Sequence, residues 1–231
     1  MKRIAEAKLS HFFPGAASAL PLRLHLRSDL HLLRKVWHMS MGLAIVFVVL
    51  TTGMATTSGI LLLGFFLGLD LLIETARLRI PSVNDKVMKY WGPFMRTSEI
   101  SRFSGIPSYL AACILAIAIF PKPVALLSIL YLACGDPIAS VFGILYGNRS
   151  IRLAQGKSLI GTLAGVVVCA LVTFVYLKSL GLPDQLVAMM CLIGGVAGGT
   201  AELMPFELDD NFTIPVISGF VLWLGFILFG I

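Results

Sequence analysis

Apolar residues run almost unbroken through most of this 231-residue chain, and charge gathers at only a few places between the runs. Stretches long enough to cross about 30 Å of hydrocarbon, at about 20 residues each, lie near 35–53, 57–74, 105–120, 123–147, 158–179, 185–203 and 212–230. The pattern predicts an all-α, polytopic membrane helix bundle with about seven transmembrane helices. The third run is short and the turn between the first two is tight, so six or eight crossings also fit. No Ser/Gly/Pro-rich linker or charged tail divides the chain. Residues 1–231 are therefore expected to form a single integral membrane domain, with 1–33 a cytoplasmic or interfacial segment and 34–231 the core. The basic N-terminal stretch lacks the apolar core of about 7–15 residues that a secretory signal needs, so it is expected to remain in the mature protein.

Composition agrees with this class. Hydrophobic residues make up 58% of the chain and charged ones 13%, against about 45–50% and about 25% in soluble domains. Cys113, Cys134, Cys169 and Cys191 all fall inside predicted spans without C-x-x-C spacing, which suits small core residues rather than a metal or redox site.

Charge sets the orientation. Sixteen of the 18 Lys and Arg residues precede the first span or follow the second or fourth, and only Lys122 and Lys178 lie on the other face. The positive-inside rule then puts the N-terminus in the cytoplasm and the C-terminus outside, in a prokaryotic plasma membrane or endoplasmic reticulum. The net charge of +6 favours anionic lipid headgroups as partners, and no aromatic-interleaved basic stripe points to nucleic acid. In "SVNDKVMKYWGPFM", Val83, Val87, Tyr90, Trp91 and Phe94 can share a face, which predicts a helix lying at the membrane interface.

With this topology the unusual polar residues converge on the cytoplasmic side. Arg34, Lys35 and His38 lie on one side of the first helix, where the two cations serve either as headgroup anchors or as anion contacts. Asp70, Glu74 and Arg77 share a face of the second; Glu74 can pair with Arg77, while Asp70 needs a partner or a cation. Asp136 is the sharpest feature. It lies about 20 Å along a helix counted from Pro123, where an acid costs about 2.5–3.5 kcal/mol to insert. Pro137 removes a donor and frees carbonyls, and Gly135 permits close approach of another chain or ligand.

"GNRSIRLAQGKSLIGT" ends like a Walker A loop in Gly156, Lys157 and Ser158, but Ile151 stands where that motif requires glycine. A glycine-rich turn opening a helix still offers amide donors, and Lys157 adds positive charge, a pattern that suits phosphate. Glu202, Glu207, Asp209 and Asp210 then put four acids on the basic face. Carboxylates beside basic loops suit Mg²⁺ with phosphates; Asp210 or Asn211 capping the last helix is the alternative.

The series "RKVWH", "DLLIETAR", "FMRTSE" with Gly105, "GDPIASVFGILYG", "GKSLIGT" and "DDNFTIP" resembles the CTP-dependent lipid kinases grouped as dolichol kinase, phytol kinase and yeast-type diacylglycerol kinase. It runs in order from about residue 34 to 225. The resemblance implies an enzyme that moves the γ-phosphate of CTP, with a divalent cation such as Mg²⁺, onto the hydroxyl of a membrane lipid alcohol: a polyprenol, a phytol-type isoprenoid or diacylglycerol. Asp136 and Lys157 with Ser158 match the stretches linked to nucleotide and catalysis, and Asp209, Asp210 and Asn211 the final signature. One position departs: Ile160 stands where the family usually has an acid.

Phosphoryl transfer asks for a cation held by carboxylates, basic groups on the phosphates and a carboxylate on the hydroxyl. The catalytic candidates are Asp136, Lys157 and Asp70. The nucleotide candidates are Gly135, Gly156, Lys157, Ser158, Gly161, Thr162, Arg34, Lys35, His38 and Arg96. Asp136, Glu74, Asp209 and Asp210 are expected to hold metal, with Glu99, Glu202 and Asn211 nearby. The alternatives are a cytidylyltransferase making a CDP-lipid, and an ion-coupled transporter with Asp136 in a broken helix. The acceptor lipid and the oligomeric state are not legible.

Overall fold

A computed structural model describes residues 31–204 and 209–231. Residues 1–30 of the expected N-terminal segment, and Glu207 in the acidic run, lie outside the described residues. The regular structure of the described residues is helical: α1 Leu32–Thr52, α2 Thr56–Arg79, α3 Pro81–Trp91, α4 Ile106–Ile119, α5 Lys122–Leu130, α6 Asp136–Tyr146, α7 Leu159–Ser179, α8 Asp184–Thr200 and α9 Asp210–Phe229. A π turn at Tyr131–Gly135 joins α5 to α6, so the two form one element from Lys122 to Arg149.

Among the described residues, six elements are long and apolar enough to cross a membrane: α1, α2, α5–α6, α7, α8 and α9. The seventh expected run is α4, whose 14 residues reach only about 21 Å at 1.5 Å per residue, short of a full crossing. The result is a multi-pass membrane helix bundle. Large apolar side chains such as Leu72 and Phe65 on α2, Phe47 on α1 and Leu228 on α9 stay on its outer surface, where only lipid makes them favourable.

The centre of the bundle is α5. Val124, Leu127 and Ile129 are fully buried there, which is why this segment is apolar all round rather than on one stripe. Small residues let the surrounding helices close on it. On α7 and α8, Gly165, Gly195 and Gly199 bring the two backbones together, in the small-residue packing expected where no hydrophobic force drives helices together in lipid. Gly42 does the same for α1: a side chain there would run into Ala133 and the Tyr109 hydroxyl, so α1 lies directly against the π turn.

A helix does form where an interfacial one was predicted: α3, with Pro81 at its first position. It is bound to the bundle more firmly than its sequence suggested. Asn84 and Met88 are buried, and Trp91 packs edge-on against Trp37 of α1 with ring centroids 5.3 Å apart.

Candidate active site

The starts of α1, α7 and α9 and the ends of α6 and α8 meet at one end of the bundle. A cavity of about 490 Å³ opens at that end of the bundle. Arg34, Lys35 and His38 line it from α1, Asp136 and Ser140 from α6, Gly156, Lys157, Ser158 and Gly161 from the turn into α7, Glu202 from the end of α8, Asp210 and Asn211 from α9, and Arg96 from the loop after α3. Twelve residues singled out in the sequence are thereby gathered around one recess, although they span most of the described chain.

The π turn sets the position of Asp136. Pro137 has no amide hydrogen, so the turn before it cannot close in α register. The Asp136 amide instead donates five residues back, to the Tyr131 carbonyl. The widened turn places Asp136 at the head of α6, on the cavity wall. Wide turns of this kind recur at functional sites.

Opposite Asp136, the Lys157 ammonium donates to Glu202 Oε2 at 2.6 Å and Asp210 Oδ2 at 2.9 Å. Burial alone would depress this lysine, but the Glu202, Asp210 and Asp136 carboxylates more than offset it and raise its pKa above the ordinary 10.5. Lys157 is therefore a permanent cation. Carboxylate oxygens of Asp136, Glu202 and Asp210 all lie within 4.8 Å of one another. Three hard oxygen donors at that spacing fit Mg²⁺, which takes few protein carboxylates and completes its shell with phosphate and water.

Of the residues expected to hold metal, the structure brings Asp136 and Asp210 together, with Glu202 beside them, and places Glu74 and Asp209 outside this trio. Glu74 is buried and receives both Nε and Nη2 of Arg77, at 2.9 and 2.6 Å, together with the Ser104 amide. Its oxygens are consumed within the fold. Arg77 spends its other donors on the carbonyls of Glu99, Ile100 and Arg102, so the pair fixes the loop that carries Arg96. Asp209 caps α9 by accepting the Asn211 amide at 2.9 Å; the cap is Asp209 rather than Asp210 or Asn211. Burial raises the Asp209 pKa, against the Asn211 amide and the Arg96 and Arg34 charges. Glu202 reaches the cavity because the short turn Ala201–Leu203 ends α8 there.

Other expected residues hold the site together or stand outside the cavity. Glu99 accepts Arg34 Nη1 at 2.7 Å and the Arg96 amide at 2.9 Å, fixing two of the cations. Asn211 donates to the Gly105 carbonyl at 3.1 Å, tying α9 to the start of α4. Gly135 faces Cys169 and serves close packing of α7, and Thr162 is buried off the cavity. Ser158 caps α7 by accepting the Gly161 amide at 3.1 Å, so that amide is already spent. Asp70 stands half-buried on α2, one turn before the Glu74–Arg77 pair, and does not line the cavity. Asn148, Arg152 and Gln155 also line it. Arg152 donates to the Gly156 carbonyl and to Asn148. In the sequence Arg152 counted only toward topology; its place between the Asp136 and Lys157 motifs was the available signal.

Comparison with known proteins agrees with the site. CTP-dependent diacylglycerol kinase 1 of Schizosaccharomyces pombe is 34% identical over 161 residues, covering 65% of this chain and 73% of that protein. The protein of the same name from Eremothecium gossypii is 33% identical over 166 residues, 64% of this chain and 52% of the relative. That from Saccharomyces cerevisiae is 29% identical over 203 residues, 80% of this chain and 70% of the relative. No family model and no solved structure matches the chain. A third of aligned positions shared with a kinase over most of that kinase's length identifies the chain, which belongs to the CTP-dependent lipid kinases, enzymes that phosphorylate a lipid alcohol.

Proposed function

We propose that the lipid alcohol is diacylglycerol, and that the γ-phosphate of CTP reaches it in the cavity at the cytoplasmic end of the bundle. The observation that carries this reading is the pairing of two groups of charge around one recess: the carboxylates of Asp136, Glu202 and Asp210 face the cations Arg34, Lys35, Arg96 and Lys157. The names of the relatives support the acceptor, and the bias of basic residues toward this end supports the orientation.

Asp136, Glu202 and Asp210 would hold Mg²⁺ or another divalent cation. When bound, such a cation neutralises charge on the phosphate oxygens of the nucleotide. The chain's own part is positioning and electrostatics. Lys157, fixed by two acids, contributes permanent positive charge at the developing phosphate. Arg34, held by Glu99, and Arg96 receive the remaining anionic oxygens, and a bidentate guanidinium suits them. The acceptor enters from the lipid, so only its glycerol hydroxyl needs to reach the polar recess.

The acceptor is tested by measuring kcat/KM of the purified protein with Mg²⁺ and CTP on diacylglycerol, a polyprenol and phytol in mixed micelles. Diacylglycerol should lead the others by at least about tenfold, a difference of about 1.4 kcal/mol in transition-state binding. A polyprenol or phytol that leads by the same margin overturns the assignment.

A further inference from the structure

The cavity reaches well beyond its carboxylates. Asp136, Ser140, Gly143, Ile144 and Asn148 all line it from α6 and the turn that follows, at the three- and four-residue spacing of one helix face. Asp136 and Asn148 are twelve positions apart, about 18 Å at about 1.5 Å per residue. The carboxylate trio and Lys157 gather at the Asp136 end, where they suit the terminal phosphates and a cation. With its phosphates there, a nucleotide lying along this face of α6 carries its base toward Asn148.

That far end of the wall is polar without acids: Asn148, Arg152 and Gln155 line it from the loop between α6 and α7. A side chain at Gly147 would run into Ser158, so the loop folds back closely on the end of α6. Its backbone closes on itself. The Leu153 amide donates to the Lys157 carbonyl at 2.7 Å, and the Leu159 amide to the Ile151 carbonyl at 2.9 Å. The path of the loop is thus set without the side-chain amides of Asn148 and Gln155.

Two details suit those amides to reading a base. Arg152 Nη2 donates to Asn148 Oδ1 at 3.3 Å. Arginine has no acceptor, so the amide oxygen must face it, and Asn148 Nδ2 keeps both hydrogens for a ligand. Gln155 stands at φ +56°, a left-handed conformation that glycine adopts at lower cost. The turn does not need a glutamine, yet the Gln155 amide is exposed on the cavity wall and makes no hydrogen bond among the described residues.

Cytosine presents two neighbouring acceptors, O2 and the ring nitrogen N3, beside a donor amino group. Uracil has an N–H in place of the N3 lone pair and a carbonyl in place of the amino group. A donor fixed at Asn148 matches the first base and opposes the second.

We propose that Asn148 and Gln155 form the base-binding subsite and select cytosine over uracil. Asn148 Nδ2 donates to the acceptor edge of cytosine, Gln155 Oε1 accepts from its amino group, and Arg152 is the residue that positions Asn148. This assignment rests on the kinase reading above and names what sets its choice of nucleotide.

The test measures kcat/KM of purified wild type, Asn148→Asp and Gln155→Gly with CTP and with UTP, on diacylglycerol in micelles with Mg²⁺. Inhibition by inorganic triphosphate, which has the phosphates and no base, is measured alongside. Asn148→Asp keeps the shape and the Arg152 contact but turns the donor into an acceptor, so the preference for CTP over UTP should fall by about tenfold or more. Gln155→Gly suits the left-handed turn, and its preference should fall by about fivefold or more through loss of the amide. Triphosphate inhibition should stay within about twofold of wild type in both, because base contacts specify while phosphate contacts position. An unchanged preference in either variant overturns the proposal. Weakened triphosphate inhibition overturns it as well, since the loop then binds phosphate. Wild type that uses CTP and UTP equally overturns it too. Wild-type protein that labels no lipid from either nucleotide overturns the proposed function itself, a result distinct from all three.

Discussion

Lys157 Nζ lies 2.6 Å from Glu202 Oε2, joining the turn before α7 to the end of α8 at the floor of the cavity. The contact fixes the protonation state of the lysine. A lysine whose pKa is raised in the fold contributes stability that is fully present below its unfolded value, near 10.5, and is lost only as pH climbs through the higher folded value. The stability difference between wild type and Lys157→Met should therefore be flat from pH 7 to about 10 and shrink in stronger alkali. Chemical denaturation at a series of pH values measures it; a difference that already shrinks near neutrality would contradict the pairing.

Asp136→Asn keeps size and removes charge from the carboxylate trio. Turnover should fall by about 100-fold or more, and the Mg²⁺ concentration for half-maximal rate should rise. Glu202→Gln should move the Mg²⁺ dependence in the same direction. Undiminished turnover in Asp136→Asn would remove this residue from the site.

Glu74 is expected to behave differently. Its carboxylate is spent on Arg77 in a buried pair, and breaking such a pair costs about 3–5 kcal/mol. Glu74→Gln should lower the thermal midpoint markedly while leaving the Mg²⁺ dependence of the folded enzyme unchanged. A shifted Mg²⁺ dependence would return Glu74 to the metal site.

Pro137→Ala restores an amide hydrogen at the head of α6 and lets the turn before it close in α register. Turnover should drop by roughly 10- to 100-fold through misplacement of Asp136, with CTP affinity little changed. Kinetics alongside equilibrium binding separate the two, and a variant as active as wild type would show that the widened turn is not needed.

Much of this arrangement was legible in one dimension because membrane helices leave strong traces. The apolar runs marked the elements to within a few residues, and the cost of burying Asp136 and Pro137 in such a run marked the break. Carboxylate assignment was harder, since acids a few residues apart look alike in sequence. Asp209 and Asp210 are adjacent, yet one turns back to cap α9 and the other faces Lys157. Glu74 and Glu202 differ only in what folds against them: a buried arginine for one, the cavity for the other.

The central claim is transfer of the terminal phosphate of CTP to lipid in the cavity around Asp136. Its most direct measurement incubates the purified protein, Mg²⁺ and diacylglycerol with CTP labelled either at the γ- or at the α-phosphate. The account predicts that γ-label appears in the lipid, one CDP is released per lipid labelled, and Asp136→Asn abolishes both. Label entering the lipid from the α-position, with release of pyrophosphate, would contradict it.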